Sequence, residues 1–213
     1  MKKIKIQKPK IYDDLELIED IEEKMLIEET IEECLIKDTT ISDIYNVRVK
    51  LDGCIFKNVN FENCNFQNID MTDVIFDNCD LSNLDFSNSG IYRVEFNNCK
   101  LVGSNFEDSV LKSILFNNCY CRYSNFSFSK LKGVSISESE FIGTVFQEVK
   151  NEGLILNEVN LCESTFTSTS LKGIDFSSCI IDAIDIRVED IYGATFNSVQ
   201  GLELTKLMGI IIK

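Results

Sequence analysis

Histidine and tryptophan are absent from this 213-residue chain, and proline occurs once. Mechanisms that need an imidazole as general base or metal ligand are therefore excluded. Long apolar runs are missing as well: no stretch approaches the ~18 apolar residues of a membrane span. The start, Met1-Lys2-Lys3-Ile4-Lys5, is basic but leads to Gln7, Lys8, Pro9 and Lys10 rather than to an apolar segment, so no secretory leader is expected. Basic residues are the minority, 21 against 35 acidic ones, for a net charge of −14. Such a surface disfavours direct binding to DNA or to an anionic membrane and favours a basic partner. The nine cysteines, with no secretory context, read as reduced thiols of a cytosolic protein.

What is present is a repeat. Stepping by five from Leu51 gives Phe56, Phe61, Phe66, Met71, Phe76, Leu81, Phe86, Ile91, Phe96, Leu101 and Phe106, and the series runs on to Phe196. Fourteen of the fifteen phenylalanines share this phase, and only Phe128 stands outside it. A second track two residues ahead carries small or β-branched residues: Cys54, Val59, Cys64, Ile69, Val74, Cys79, Leu84, Ser89, Val94, Cys99, Ser104. The other three positions of each pentapeptide are polar, rich in Asn, Asp, Ser and Gly. A period of five fits neither the 3.6 of a helix nor the 2.0 of a strand. It fits a chain that turns a corner every five residues.

This pattern resembles the pentapeptide-repeat family across at least residues 49–199. The resemblance implies an all-β fold, a right-handed quadrilateral β-helix with four pentapeptides per coil. With twenty residues per coil, one wall stacks Phe66, Phe86, Phe106, Phe126, Phe146 and Phe166. The opposite wall stacks Phe56, Phe76, Phe96 and Phe116, and the wall through Leu51 is aliphatic. Asn58, Asn78, Asn98 and Asn118 fall at corners, where Asn tolerates unusual backbone angles. Asn151 occupies an inward slot, so a bulge is expected near Lys150–Gly153, a packing irregularity rather than a binding loop. Residues 49–199 make about 7.5 coils, or roughly 36 Å at the strand spacing.

Three segments follow: an acidic N-terminal cap over 1–30, the β-helix over 31–196, and a C-terminal helix with an apolar tail over 197–213. Asn197 and Gln200 form a capping-box signature, and Gly209 suits the end of that helix. The tail exceeds what one cap needs, so Leu202, Leu204, Leu207, Met208, Ile210, Ile211 and Ile212 are expected to form a homodimer interface.

Leu111-Lys112, Leu115-Phe116, Tyr123-Ser124-Asn125-Phe126, Ser170-Leu171-Lys172-Gly173-Ile174-Asp175-Phe176-Ser177 and Leu207-Met208-Gly209-Ile210-Ile211-Ile212 resemble the Qnr group, specifically its chromosomal, loop-free members. That resemblance implies a cytosolic dimer joined at its C-terminal ends. It implies a rod that mimics duplex DNA, binds DNA gyrase or topoisomerase IV, and protects the enzyme from quinolones. The unbroken phase leaves no room for the projecting loops of other members. DNA carries one charge per ~1.7 Å, whereas this chain carries one per about 3 Å at the strand spacing, so placement of the carboxylates matters. The Phe66 wall bears Asp85, Glu107, Asp108, Glu148 and Asp185; the Phe56 wall bears Asp77, Glu95, Glu138, Glu158 and Asp175. The wall through Phe61 is also net acidic. The Leu51 wall carries Lys50, Arg93, Lys112, Lys130, Lys132, Lys150 and Lys172 and is slightly basic. The acidic walls are expected to meet the partner.

Rival readings are weaker. Cys79, Cys99 and Cys119 stack at one wall position, but cysteine in the small inward track behaves as a small apolar residue, so no metal and no cofactor are expected. Acyltransferase solenoids repeat every six residues and use histidine, and polysaccharide lyases need long loops, so no enzymatic activity is expected. A scaffold or immunity protein for another partner is the remaining alternative.

Overall fold

The computed structural model describes residues 5–27, 29–45 and 49–211. Its core is a parallel β-solenoid. Strands β1 (Glu16–Leu17), β2 (Thr30–Glu32), β3 (Cys34–Ser42), β4 (Lys50–Asp52), β5 (Ile55–Glu62), β6 (Asp70–Asp77), β7 (Gly90–Asn97), β8 (Val110–Asn117), β9 (Lys130–Ser137) and β10 (Lys150–Asn157) form one ten-stranded sheet. Every pairing from β2 onward is parallel and offset by twenty residues, as in Met71↔Ile91↔Leu111 and Phe76↔Phe96↔Phe116. The expected coil length is therefore what the chain adopts. From β6 to β10 two walls form these strands, while β3 and β5 also pair along the Phe61 wall; beyond them the other two walls are held by single bridges such as Asp85↔Asn105↔Asn125 and Asp80↔Lys100↔Tyr120.

The corner is a single residue with left-handed backbone, recurring every five positions. Asn58, Asn63, Asn68, Asp73, Asn78, Asn83, Asn88, Arg93 and Asn98 all have φ between 52° and 63°. Asn and Asp tolerate this region because their short side chains find local hydrogen bonds. At the expected corner column the amides also link coils: Asn78 Nδ2 donates to Asn58 Oδ1 at 2.8 Å, and Asn118 Nδ2 to Asn98 Oδ1 at 2.8 Å.

Phenylalanines fill the tube as parallel stacks. Phe76–Phe96 and Phe96–Phe116 lie 5.2 and 4.9 Å apart with rings within 6° of parallel. The Phe66 stack runs opposite, with centroid steps from 6.0 Å at Phe66–Phe86 to 4.6 Å at Phe146–Phe166. Rings of the two walls meet edge to face, Phe106–Phe116 at 6.3 Å and Phe116–Phe126 at 6.1 Å. Both geometries suit the ring quadrupole. Where the Phe56 wall continues with Ile136, Phe141 on the neighbouring wall takes up the space, 5.6 Å from Phe116.

One expectation is overturned. There is no bulge at Lys150–Gly153: β10 pairs with β9 in unbroken register, Asn151 opposite Leu131 and Leu154 opposite Val134. Asn151 keeps its place, half-buried, because its Oδ1 accepts the Leu154 N–H at 2.8 Å and so turns its own polarity into the next corner.

Both ends are closed. Helix α1 (Ile21–Ile27) buries Ile21 and Met25 against the first coil. At the other end Asn197 caps α2 (Ser198–Leu204): its Oδ1 accepts Val199 and Gln200 N–H at 3.0 Å, and Gln200 Oε1 accepts Asn197 N–H at 2.8 Å. Gln200 Nε2 then donates to the carbonyls of Phe176 and Cys179, groups that no further coil reaches. A 3₁₀ turn, Thr205–Met208, ends on Gly209 at φ 70°.

Candidate partner-binding surfaces

The carboxylates assigned to the acidic walls divide into two kinds. Asp85 Oδ1 accepts Ser87 N–H at 2.9 Å and Asn105 Nδ2 at 3.1 Å, and Asp77 Oδ1 accepts Asn98 Nδ2 at 3.3 Å. Asp175 Oδ1 accepts Ser177 N–H at 2.9 Å, and the Ser177 hydroxyl and amide together hold its carboxyl below the usual range. These three spend hydrogen-bonding capacity within the solenoid, on their own turn or on the next coil. Asp108, Glu138, Glu148 and Glu158 are exposed and have no side-chain partner among the described residues; Glu95 and Glu107 are half-buried and likewise unpaired. Asp185 is exposed on the last coils.

Coil stacking brings some of these together. Glu138 and Glu158 occupy one corner column in successive coils, φ 49° and 54°, and with Glu140 line a shallow depression of about 500 Å³. Asp108 and Glu148 share another corner column, two coils apart, with Phe128 between them. Asp85 and Asp185 belong to one bridged column but stand at its two ends.

The basic wall is less basic than its residue count. Arg93 lies buried along Asp73, its Nε and Nη2 donating to both carboxylate oxygens, and stacks its guanidinium 3.9 Å from the Tyr92 ring centre. Lys50 pairs with Asp52 at 2.7 Å and Lys132 with Glu152 at 3.5 Å. An extended N-terminal arm also docks on this wall: Lys10 N–H donates to Asp73 Oδ1 at 2.8 Å, and Tyr92 Oη to Gln7 Oε1 at 2.7 Å. Sequence reasoning missed the arm, since two contacts between residues 63 and 85 positions apart leave no periodic trace.

The small inward track holds a second feature that its residue types signalled. Its hydroxyls and thiols donate to the carbonyl of the central residue one coil back: Ser104 to Leu81, Ser109 to Phe86, Ser124 to Leu101, Thr144 to Cys121, Ser164 to Phe141, at 2.7–2.9 Å. Cys79, Cys99 and Cys119 do the same toward Phe56, Phe76 and Phe96 at 3.2–3.4 Å. The interchange of Ser, Thr and Cys along the track is the mark of this ladder. Burial pushes the Cys54 and Cys119 thiols up to about 11, so they are poor thiolates and poor metal ligands.

At the C-terminal end, Leu202, Leu207, Met208, Ile210 and Ile211 are exposed, Ile211 by 84%. Leu204 instead packs against the coil, and Ile212 lies outside the described residues. Between α2 and the last coil a groove of about 470 Å³ is lined by Ile181, Ala183, Val199, Leu204 and Leu207.

Comparison with known proteins follows the repeat. A pentapeptide repeat region model matches residues 69–144, and a pentapeptide repeats (8 copies) model matches residues 152–181. A model of the SV2A/B/C luminal domain matches residues 16–106. No curated protein matches the sequence. Among solved structures, full-length QnrB1, a plasmid-mediated fluoroquinolone resistance protein, is 15% identical, with 83% of this chain and 100% of that chain covered at a TM-score of 0.46. HetL, involved in heterocyst differentiation regulation in the cyanobacterium Nostoc sp., is 11% identical over 78% of this chain and 86% of that chain at 0.28. A protein of the Arabidopsis thaliana thylakoid lumen is 22% identical over 60% and 75% at 0.32. The five-residue phase, its two matched stretches and the coil built from it make this chain a pentapeptide-repeat protein.

Proposed function

We propose that this chain is a DNA-mimicking protein that occupies the DNA-binding groove of DNA gyrase or topoisomerase IV in the cytosol and protects the enzyme from quinolones. One observation carries the reading. Exposed carboxylates without partners recur on the solenoid at whole-coil intervals, Glu138 with Glu158 and Asp108 with Glu148. Coils rise about 4.8 Å, so these charges form rows along an axis as phosphates do. A groove built for DNA is lined with cations and attracts such rows at long range. The resemblance of the second half of the sequence to the Qnr group is what supports a topoisomerase, gyrase or topoisomerase IV, as the partner. The rod does no chemistry of its own; its part is to occupy. Two rods join through the exposed apolar residues Leu202, Leu207, Met208, Ile210 and Ile211, which doubles the length of the acidic surface.

Gyrase supercoiling in the presence of a fluoroquinolone, with purified protein titrated in, tests this. Restored supercoiling is the expected result. Supercoiling that stays blocked with gyrase, and decatenation that stays blocked with topoisomerase IV, would leave a scaffold for another partner as the reading.

A further inference from the structure

Phe128 is the one phenylalanine of fifteen that leaves the core phase. It sits at a corner, φ 60°, a position that most corners of the solenoid fill with Asn, Asp or Gly and where a bulky L-residue is disfavoured. Its ring is 41% exposed although apolar. Directly below it in the same column is Asp108 (φ 55°) and directly above is Glu148 (φ 51°). The adjacency is fixed by the backbone: Asp108 N–H donates to Ser127 O at 3.0 Å, and Phe128 N–H to Gln147 O at 2.9 Å. Each carboxylate is thus one coil, about 4.8 Å of rise, from the ring position. Lys130 and Lys150 stand on the adjoining wall, yet neither closes an ion pair with Asp108 or Glu148 among the described residues.

We infer that Phe128, Asp108 and Glu148 form an anchor for an arginine side chain of the basic partner. The inference rests on the reading that the acidic walls bind a cationic protein surface, and it names the residue type that is held. A guanidinium is planar, stacks on an aromatic face and offers donors along both edges. Stacked on Phe128, it directs one edge to each carboxylate. An ammonium has no plane to stack and a tighter hydration shell, so lysine gains less. Aromatic anchors flanked by charge are what binding surfaces concentrate their energy in.

Fluorescence anisotropy with labelled arginine and lysine nonamers at low salt tests this without the topoisomerase. Wild type should prefer the arginine peptide by about two- to fivefold, the range expected of an exposed cation–π contact. F128N fits the corner and should melt no lower than wild type, yet bind both peptides equally. The D108N/E148Q double variant should weaken both. Equal binding of the peptides by wild type, binding of neither, or a preference that survives F128N would each overturn the anchor. A preference lost in F128N alongside a rod that fails to protect gyrase or topoisomerase IV would retain the anchor and remove the topoisomerase as partner.

Discussion

Truncating Phe106 to alanine is expected to lower stability by about 3–5 kcal/mol, the range for a buried aromatic in a core that cannot collapse around the gap. Phe106 is fully buried and touches four rings: Phe86 and Phe126 stacked at 5.1 and 4.8 Å, Phe96 and Phe116 edge-on at 6.4 and 6.3 Å. Its neighbours are held by coils above and below, so none can move inward without breaking register. In a solenoid each coil contacts only its neighbours, and a weak coil at mid-length uncouples the two halves. Phe196 offers the contrast: it is only partly buried and stacks on Phe176 alone, at 5.1 Å. Its truncation should cost clearly less and leave the unfolding transition single. Urea denaturation of the two variants followed by circular dichroism distinguishes them; equal losses would mean the coils are not coupled as described.

Replacing Arg93 by alanine is expected to cost roughly 3 kcal/mol, because it strands a buried carboxylate whose partner is gone. Burial alone would raise the pKa of Asp73, but the Arg93 guanidinium and the Lys10 N–H favour the charged form more strongly and hold it below the ordinary value. The sign follows from that direction. A depressed carboxylate contributes stability that is fully present above its unfolded pKa and is lost as pH falls through its folded pKa. Wild type should therefore lose stability as pH falls below the normal aspartate range, and R93A, in which burial is no longer opposed by the guanidinium, should lack most of that acid-side loss. The same substitution loosens the clamp on which Lys10 rests, so trypsin should cut the arm of R93A at Lys5 and Lys10 well before wild type. Unchanged cleavage would show that the arm is held elsewhere.

The contrast between these two sites explains what the sequence made legible. Phe106 announced itself because every buried wall position obeys one period, and the period is a direct consequence of one left-handed residue per corner. Asn58, Asn78, Asn98 and Asn118 were readable as corners for the same reason. The Asp73–Arg93 pair was visible only as two charges twenty residues apart; that Arg93 folds down onto Asp73 depends on the arm and on Tyr92, which no periodicity marks. Asn151 misled because an inward polar residue suggests a distorted coil, whereas its amide finds the Leu154 N–H inside a regular one. The serines of the inward track were read as small fillers, and their hydroxyls turn out to satisfy carbonyls that stacking leaves over. The acidic walls were legible as composition, but only the coil separates the carboxylates tied into the solenoid, Asp77, Asp85 and Asp175, from the unpaired ones.

That separation is what the function depends on, and it can be measured directly. Gyrase affinity would be determined for wild type, for a charge reversal of the unpaired carboxylates (Asp108, Glu138, Glu148 and Glu158 each to lysine), and for neutralised lysines on the opposite kind of wall (Lys112, Lys130 and Lys150 each to glutamine). The account predicts that the carboxylate reversal abolishes binding while the lysine variant binds as well as wild type or better. Binding that survives the carboxylate reversal, or that fails with the lysine variant, would contradict it.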